Sequence, residues 1–108
     1  MAKIETTCVQ GGWEPKKGEP RVVPIYQSTT FKYDTSAQMA DLFDLKAEGY
    51  FYTRLQNPTN DVVAKKIAAL EGGVAAMLTS SGQAASFYSI FNICEASDHF
   101  MITAAIYG

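Results

Sequence analysis

Apolar residues recur at helical spacing between Asp61 and Glu71. Val62, Val63, Ile67 and Leu70 fall near one face, with Lys65 and Lys66 outside it. The spacing predicts a helix over 61–71, capped by Thr59 or Asn60 after an Asn57-Pro58 turn and stopped by Gly72-Gly73. The pattern then changes. Val74 to Leu78 is a short continuous apolar run that stops at Ser80-Ser81-Gly82, where small helix formers begin at once. This reads as a buried strand over about 74–79 turning directly into a helix over about 82–94, with Phe87, Ile90, Phe91 and Cys94 on its buried side. A second apolar run, Phe100 to Ile106, follows Asp98 and predicts another strand. The order helix–strand–helix–strand implies a parallel βαβ unit and an α/β fold class.

Upstream the pattern is weaker. Glycines and prolines punctuate residues 1–35, and no helical period survives there. Val22 to Phe31 is β-branched and aromatic, so it is expected to be extended, an arm lying on something else. A short helix follows, with Ser36 as N-cap and Met39, Leu42, Phe43 and Leu45 as its apolar side, ending before Gly49. The expected organisation is therefore an interface-forming N-terminal arm with a short helix (1–50) and the beginning of an α/β domain (51–108). Two parallel strands need neighbours and covering helices, so the chain reads as the first part of a longer protein.

Composition narrows the function classes. Of 108 residues, 47% are apolar and 19% charged, which is a globular balance. The net charge of −2 and the scattered Lys and Arg argue against a nucleic-acid surface. No apolar run approaches the roughly 20 residues of a membrane span, and residues 1–7 do not resemble a signal peptide. A cytoplasmic protein with no membrane partner is expected. Cys8 and Cys94 form no C-x-x-C, and His99 is the only histidine, so no metal site is expected.

The chemistry sits at the junction after residue 79. A strand that runs straight into a helix aims unpaired N–H groups at one point, where an anion can bind. The junction lacks the P-loop and dinucleotide fingerprints. Simple capping by Ser80 and Ser81 remains open at this stage. Arg54 lies beside Tyr52 in an aromatic-rich turn, and guanidinium grips phosphate with fork geometry. Tyr107, at the mouth of the second expected strand, could stack on a flat heterocycle. Together these suit a phosphorylated aromatic cofactor. An ion-paired Arg54 and a core-edge Tyr107 are the competing readings.

Three motifs, Tyr52-Thr53-Arg54-x-x-Asn57-Pro58-Thr59, Ser81-Gly82-Gln83-Ala84-Ala85 and Tyr107-Gly108, together with the arm Pro24-Ile25-Tyr26-Gln27-Ser28-Thr29-Thr30-Phe31, resemble the pyridoxal-phosphate-dependent Cys/Met-metabolism (transsulfuration) family. That resemblance implies the aspartate-aminotransferase-like (type I) fold, with this chain giving the arm and the start of the large domain that binds pyridoxal 5'-phosphate. It implies that Ser81, Gly82 and Gln83 bind the cofactor phosphate. Tyr107 would stack on the pyridine ring and help proton transfer. Tyr52 and Arg54 would reach the neighbouring subunit's cofactor in a homodimer or homotetramer. Within the family, Ser80-Ser81-Gly82-Gln83 and Thr7-x-x-x-Gln10-Gly11 are most similar to the O-acetylhomoserine sulfhydrylase branch. The implied reaction is γ-replacement on a small amino-acid substrate: O-acetylhomoserine with sulfide or methanethiol gives homocysteine or methionine and acetate. Cystathionine γ-synthase and methionine or cystathionine γ-lyase chemistry are the alternatives. The family's Schiff-base lysine would lie downstream, so these residues alone are expected to be inactive. A non-catalytic anion-binding or oligomerisation module is the reading from a different class.

Overall fold

The computed structural model describes residues 2–107. Its helices are α1 (Ile4–Gln10), α2 (Ser36–Phe43), α3 (Pro58–Glu71) and α4 (Gly82–Phe91). The chain divides into two compact units, Met1–Ala76 and Met77–Gly108.

In the first unit, α3 begins earlier than the apolar spacing predicts, and its N-cap is Asn57. The Asn57 Oδ1 accepts the Thr59 N–H at 2.9 Å. Pro58 suits the first helical position because it has no N–H to leave unpaired. Gly72 ends the helix as expected, in the left-handed conformation at φ 68°. The buried face is rotated from the expected one. Val62 and Ala68 are buried, whereas Val63 and Ile67 are 42% and 43% exposed. Lys66 is half-buried, its Nζ donating to the Val9 carbonyl at 3.4 Å.

The reason is α1, which the sequence pattern does not reveal. It has seven residues, none buried, and no side-chain cap. Helices this short are marginal alone, so docking on α3 accounts for it. Gly12 permits that docking. It has φ 82°, and a Cβ there would run into the Val62 carbonyl oxygen.

The short helix α2 is present as predicted, but Thr35 rather than Ser36 caps it. Thr35 and Gln38 form a reciprocal capping box. Its C-terminus closes with Lys46 N–H donating to Asp41 O at 2.8 Å and Leu45 N–H donating to Leu42 O at 3.1 Å. This Schellman arrangement puts Leu45 at φ 56°, where glycine is favoured. Of the predicted apolar side, Leu42 is buried; Phe43 is exposed but lies 4.5 Å from the Phe51 ring. Leu42, Phe51, Val62 and Ala68 form the apolar core, with Asn57 as its buried polar member.

The two predicted strands are not formed. Residues 75–79 carry no regular structure, and residues 100–106 are irregular with a turn at Ala104-Ala105. The expected βαβ unit is thus absent from the described residues; their one β pairing is an isolated antiparallel bridge, Thr30 to Tyr52. A buried parallel strand needs neighbours for its N–H and C=O groups and helices over both faces, and two short apolar runs do not supply them. In the second unit α4 starts where the junction predicts but ends at Phe91, short of residue 94. None of its residues is buried. Phe87 and Phe91 instead stack on each other, with centroids 5.3 Å apart. Among the described residues no helix is long and apolar enough to cross a membrane.

Candidate functional site

Tyr52 and Arg54 stand on a tight turn of the first unit. The Leu55 and Gln56 N–H groups both donate to the Tyr52 carbonyl, at 3.0 and 3.1 Å. The Arg54 guanidinium carbon lies 5.2 Å from the centroid of the Tyr52 ring, a cation–π contact. The ion pair found among the described residues joins Lys46 and Asp44, so Arg54 is not spent in one. The pair therefore presents a cation and a phenol side by side.

Beneath that turn lies a polar network that the sequence does not announce. Asn57 is 4% exposed and uses its whole amide. Its Nδ2 donates to the Tyr26 carbonyl at 2.9 Å and to Thr53 Oγ1 at 3.2 Å. Thr53 N–H donates to Thr29 O at 2.9 Å, and Thr53 Oγ1 donates to Ser28 O. Thr59 Oγ1 accepts the Tyr26 N–H at 2.9 Å and donates to Pro24 O at 3.0 Å. The sequence marks Asn57 and Thr59 as turn, cap and members of the family motif, with no sign of their bonds to the arm. Their signal is three small polar residues, Thr53, Asn57 and Thr59, flanking a proline; burial is what makes them consequential. Nearby, Tyr50 donates to Asp61 Oδ2 at 2.9 Å. Burial, and then the bond to Asp61 and its charge, push the Tyr50 phenol up to about 12.

The second unit carries the anion junction. Ser81 is the N-cap of α4, its Oγ accepting the Ala84 N–H at 3.1 Å. Ser81 O accepts the Ala85 N–H at 3.1 Å. No acceptor for the Gly82 and Gln83 N–H groups is present among the described residues. The first turn has no acidic residue. A Cβ built on Gly82 would meet nothing within 4 Å, so the approach is open. Ser81 therefore does cap, and its hydroxyl hydrogen stays free to donate. Tyr107 is 97% exposed, which rules out a core-edge role within its unit. Gly108, paired with it in the sequence motif, lies outside the described residues.

The structure thus brings Tyr52 and Arg54 together in one unit and Ser81, Gly82 and Gln83 together in the other. Two unclaimed N–H groups at the positive end of α4, with no carboxylate beside them, fit a phosphate.

A family model described as "Cys/Met metabolism PLP-dependent enzyme" matches residues 5–108. The chain is 45% identical over 107 residues to an O-acetyl-L-homoserine sulfhydrylase of Leptospira meyeri, covering 98% of this chain and 24% of that protein. It is 41% identical over 105 residues to an L-methionine gamma-lyase of Fusobacterium nucleatum, covering 97% of this chain and 27% of that one. Among solved structures, a putative O-acetylhomoserine (thiol)-lyase of Campylobacter jejuni superposes with a TM-score of 0.82 at 35% identity. That superposition covers 90% of this chain and 23% of the other, which carries an N'-pyridoxyl-lysine-5'-monophosphate. The chain spans about a quarter of the length of these relatives. With that match over nearly its whole length, the chain belongs to the Cys/Met metabolism PLP-dependent enzyme family.

Proposed function

We propose that the chain is the N-terminal portion of a PLP-dependent γ-replacement enzyme. The whole protein would convert O-acetylhomoserine plus sulfide or methanethiol to homocysteine or methionine and acetate. The observation that carries this reading is the open start of α4 within Ser80-Ser81-Gly82-Gln83, in a chain similar to an O-acetyl-L-homoserine sulfhydrylase. When bound, pyridoxal 5'-phosphate would supply electron withdrawal from the substrate carbons.

The chain's own residues hold and orient. The Gly82 and Gln83 N–H groups and the Ser81 hydroxyl donate to the phosphate. The Arg54 guanidinium and Tyr52 hydroxyl grip the phosphate held by a second copy, in a homodimer or homotetramer. Charge-assisted contacts of this kind contribute on the order of 1.5–3 kcal/mol each. The exposed Tyr107 ring stacks on the cofactor, and its hydroxyl moves a proton as the γ-substituent leaves. The fold of the whole is the type I arrangement, with residues 1–50 as interface arm and 51–108 as the start of the cofactor domain, in a cytoplasmic enzyme.

The similarity to an L-methionine gamma-lyase favours one second reading, γ-elimination. Incubating the full-length protein with O-acetylhomoserine and sulfide should release acetate and homocysteine together. Release of an α-keto acid from methionine or cystathionine alone, with no homocysteine from the first mixture, would replace γ-replacement with the lyase reaction.

A further inference from the structure

Five hydrogen bonds tie residues 24–29 to residues 53–59. Thr53, the residue between Tyr52 and Arg54, makes two of them, through its N–H to Thr29 O and its Oγ1 to Ser28 O. Asn57 is the joint. One amide hydrogen holds Tyr26 O, the other holds Thr53 Oγ1, and its oxygen starts α3. At 4% exposure, water has little room to replace a lost partner.

We propose that Asn57 and Thr53 are positioning residues that act through Tyr52 and Arg54. They clamp the turn between the arm and α3, so that guanidinium and phenol wait at a fixed place for the phosphate. The inference rests on the reading of Tyr52 and Arg54 as phosphate-binding groups. Arg54 is long and exposed, so ordering it on binding is costly. Fixing its backbone and parking its guanidinium over the Tyr52 ring removes part of that cost before the ligand arrives. The Asn57 oxygen starts α3, while its two donated bonds reach the arm and the middle of the Tyr52–Arg54 turn.

The test is a double-mutant cycle in the full-length protein, read as the dissociation constant of pyridoxal 5'-phosphate by titration of the apo form. Thr53→Val, near-isosteric but without the hydroxyl, should weaken binding about tenfold, and Thr53→Ser should restore it to within about twofold. Asn57→Asp keeps a capping oxygen but has no N–H to give, and should weaken binding about as much. In a Tyr52→Phe/Arg54→Ala background both losses should shrink to about twofold or less, because the groups they position are gone. The proposal is overturned if the losses persist undiminished in that background, or if Thr53→Val and Asn57→Asp bind like wild type. Arg54→Ala binding like wild type would instead sink the phosphate-gripping reading and this inference with it.

Discussion

Replacing Ser81 separates two roles that wild type combines. Ser81 caps α4 through one bond, Ala84 N–H to Oγ at 3.1 Å. Ser81→Ala removes that bond at a cost of about 1 kcal/mol to the helix start. The fraying reaches the Gly82 and Gln83 N–H groups, and the hydroxyl that donates to the phosphate is lost with it, a contact of about 1.5–3 kcal/mol, so cofactor affinity should fall at least about tenfold. Ser81→Asp keeps the cap and adds a negative charge at the positive helix end, worth about 0.3–1 kcal/mol in favour of α4. The same charge would face the phosphate. At a separation of roughly 5 Å a carboxylate and a dianion repel by roughly 2 kcal/mol at the dielectric of water and roughly 7 at an effective value of 20. Even the lower figure, about 1.7 kcal/mol before rounding, weakens binding by about 17-fold, beyond the hydroxyl contact that both substitutions lose. The two substitutions thus order oppositely: aspartate gives the firmer helix and the weaker cofactor site. Amide exchange at Ala84 and Ala85 reads the helix, and titration of the full-length apoprotein with pyridoxal 5'-phosphate reads the site. An Ser81→Asp protein that binds within about threefold of wild type would show that the phosphate does not sit at the start of α4.

Two further expectations concern the first unit. Leu45 is 86% exposed and held at φ 56°, so Leu45→Gly should raise stability by up to about 1 kcal/mol, seen as a higher urea midpoint; a lower midpoint would contradict the account of the α2 terminus. The Tyr50 phenol should titrate near 12, and alkaline absorbance titration of the wild type against Tyr50→Phe isolates it. Because its folded pKa is raised, the stability it contributes is complete below about 10 and is lost as the pH rises through about 12; an ordinary phenol titration would remove the Tyr50–Asp61 bond from the description.

The local signals in the sequence carried well. Ser81 at the α4 start, Gly72 at the α3 end and the short α2 all follow from caps and breakers, which act within a few residues of themselves. The misreadings needed partners far away in the chain. Helix α1 forms through docking on α3, and nothing within Ile4–Gln10 records that. The rotated face of α3, with Lys66 half-buried and Val63 exposed, has the same cause. The runs 74–79 and 100–106 have the composition of strands, but a strand is a property of a ladder, and the described residues hold no ladder for them. At the site, residue types identified Tyr52, Arg54, Ser81, Gly82, Gln83 and Tyr107 as candidates. Asn57 and Thr53 stand in the family motif, but their bonds to the arm were not legible, because a buried asparagine and a surface asparagine have the same letter.

The clamp on the arm touches only main-chain atoms. Pro24 O, Tyr26 N and O, Ser28 O and Thr29 O are what Thr53, Asn57 and Thr59 engage. The grip is therefore blind to which side chains the arm carries, excluding only a proline at position 26, where the N–H is needed. Substitutions at residues 27–29 that keep the backbone extended should leave these five bonds in place, whereas Tyr26, 40% exposed and near Tyr50, also contributes packing through its ring. The arm's side chains are thereby left available for whatever lies against the arm in the whole protein, while its inner backbone stays in register.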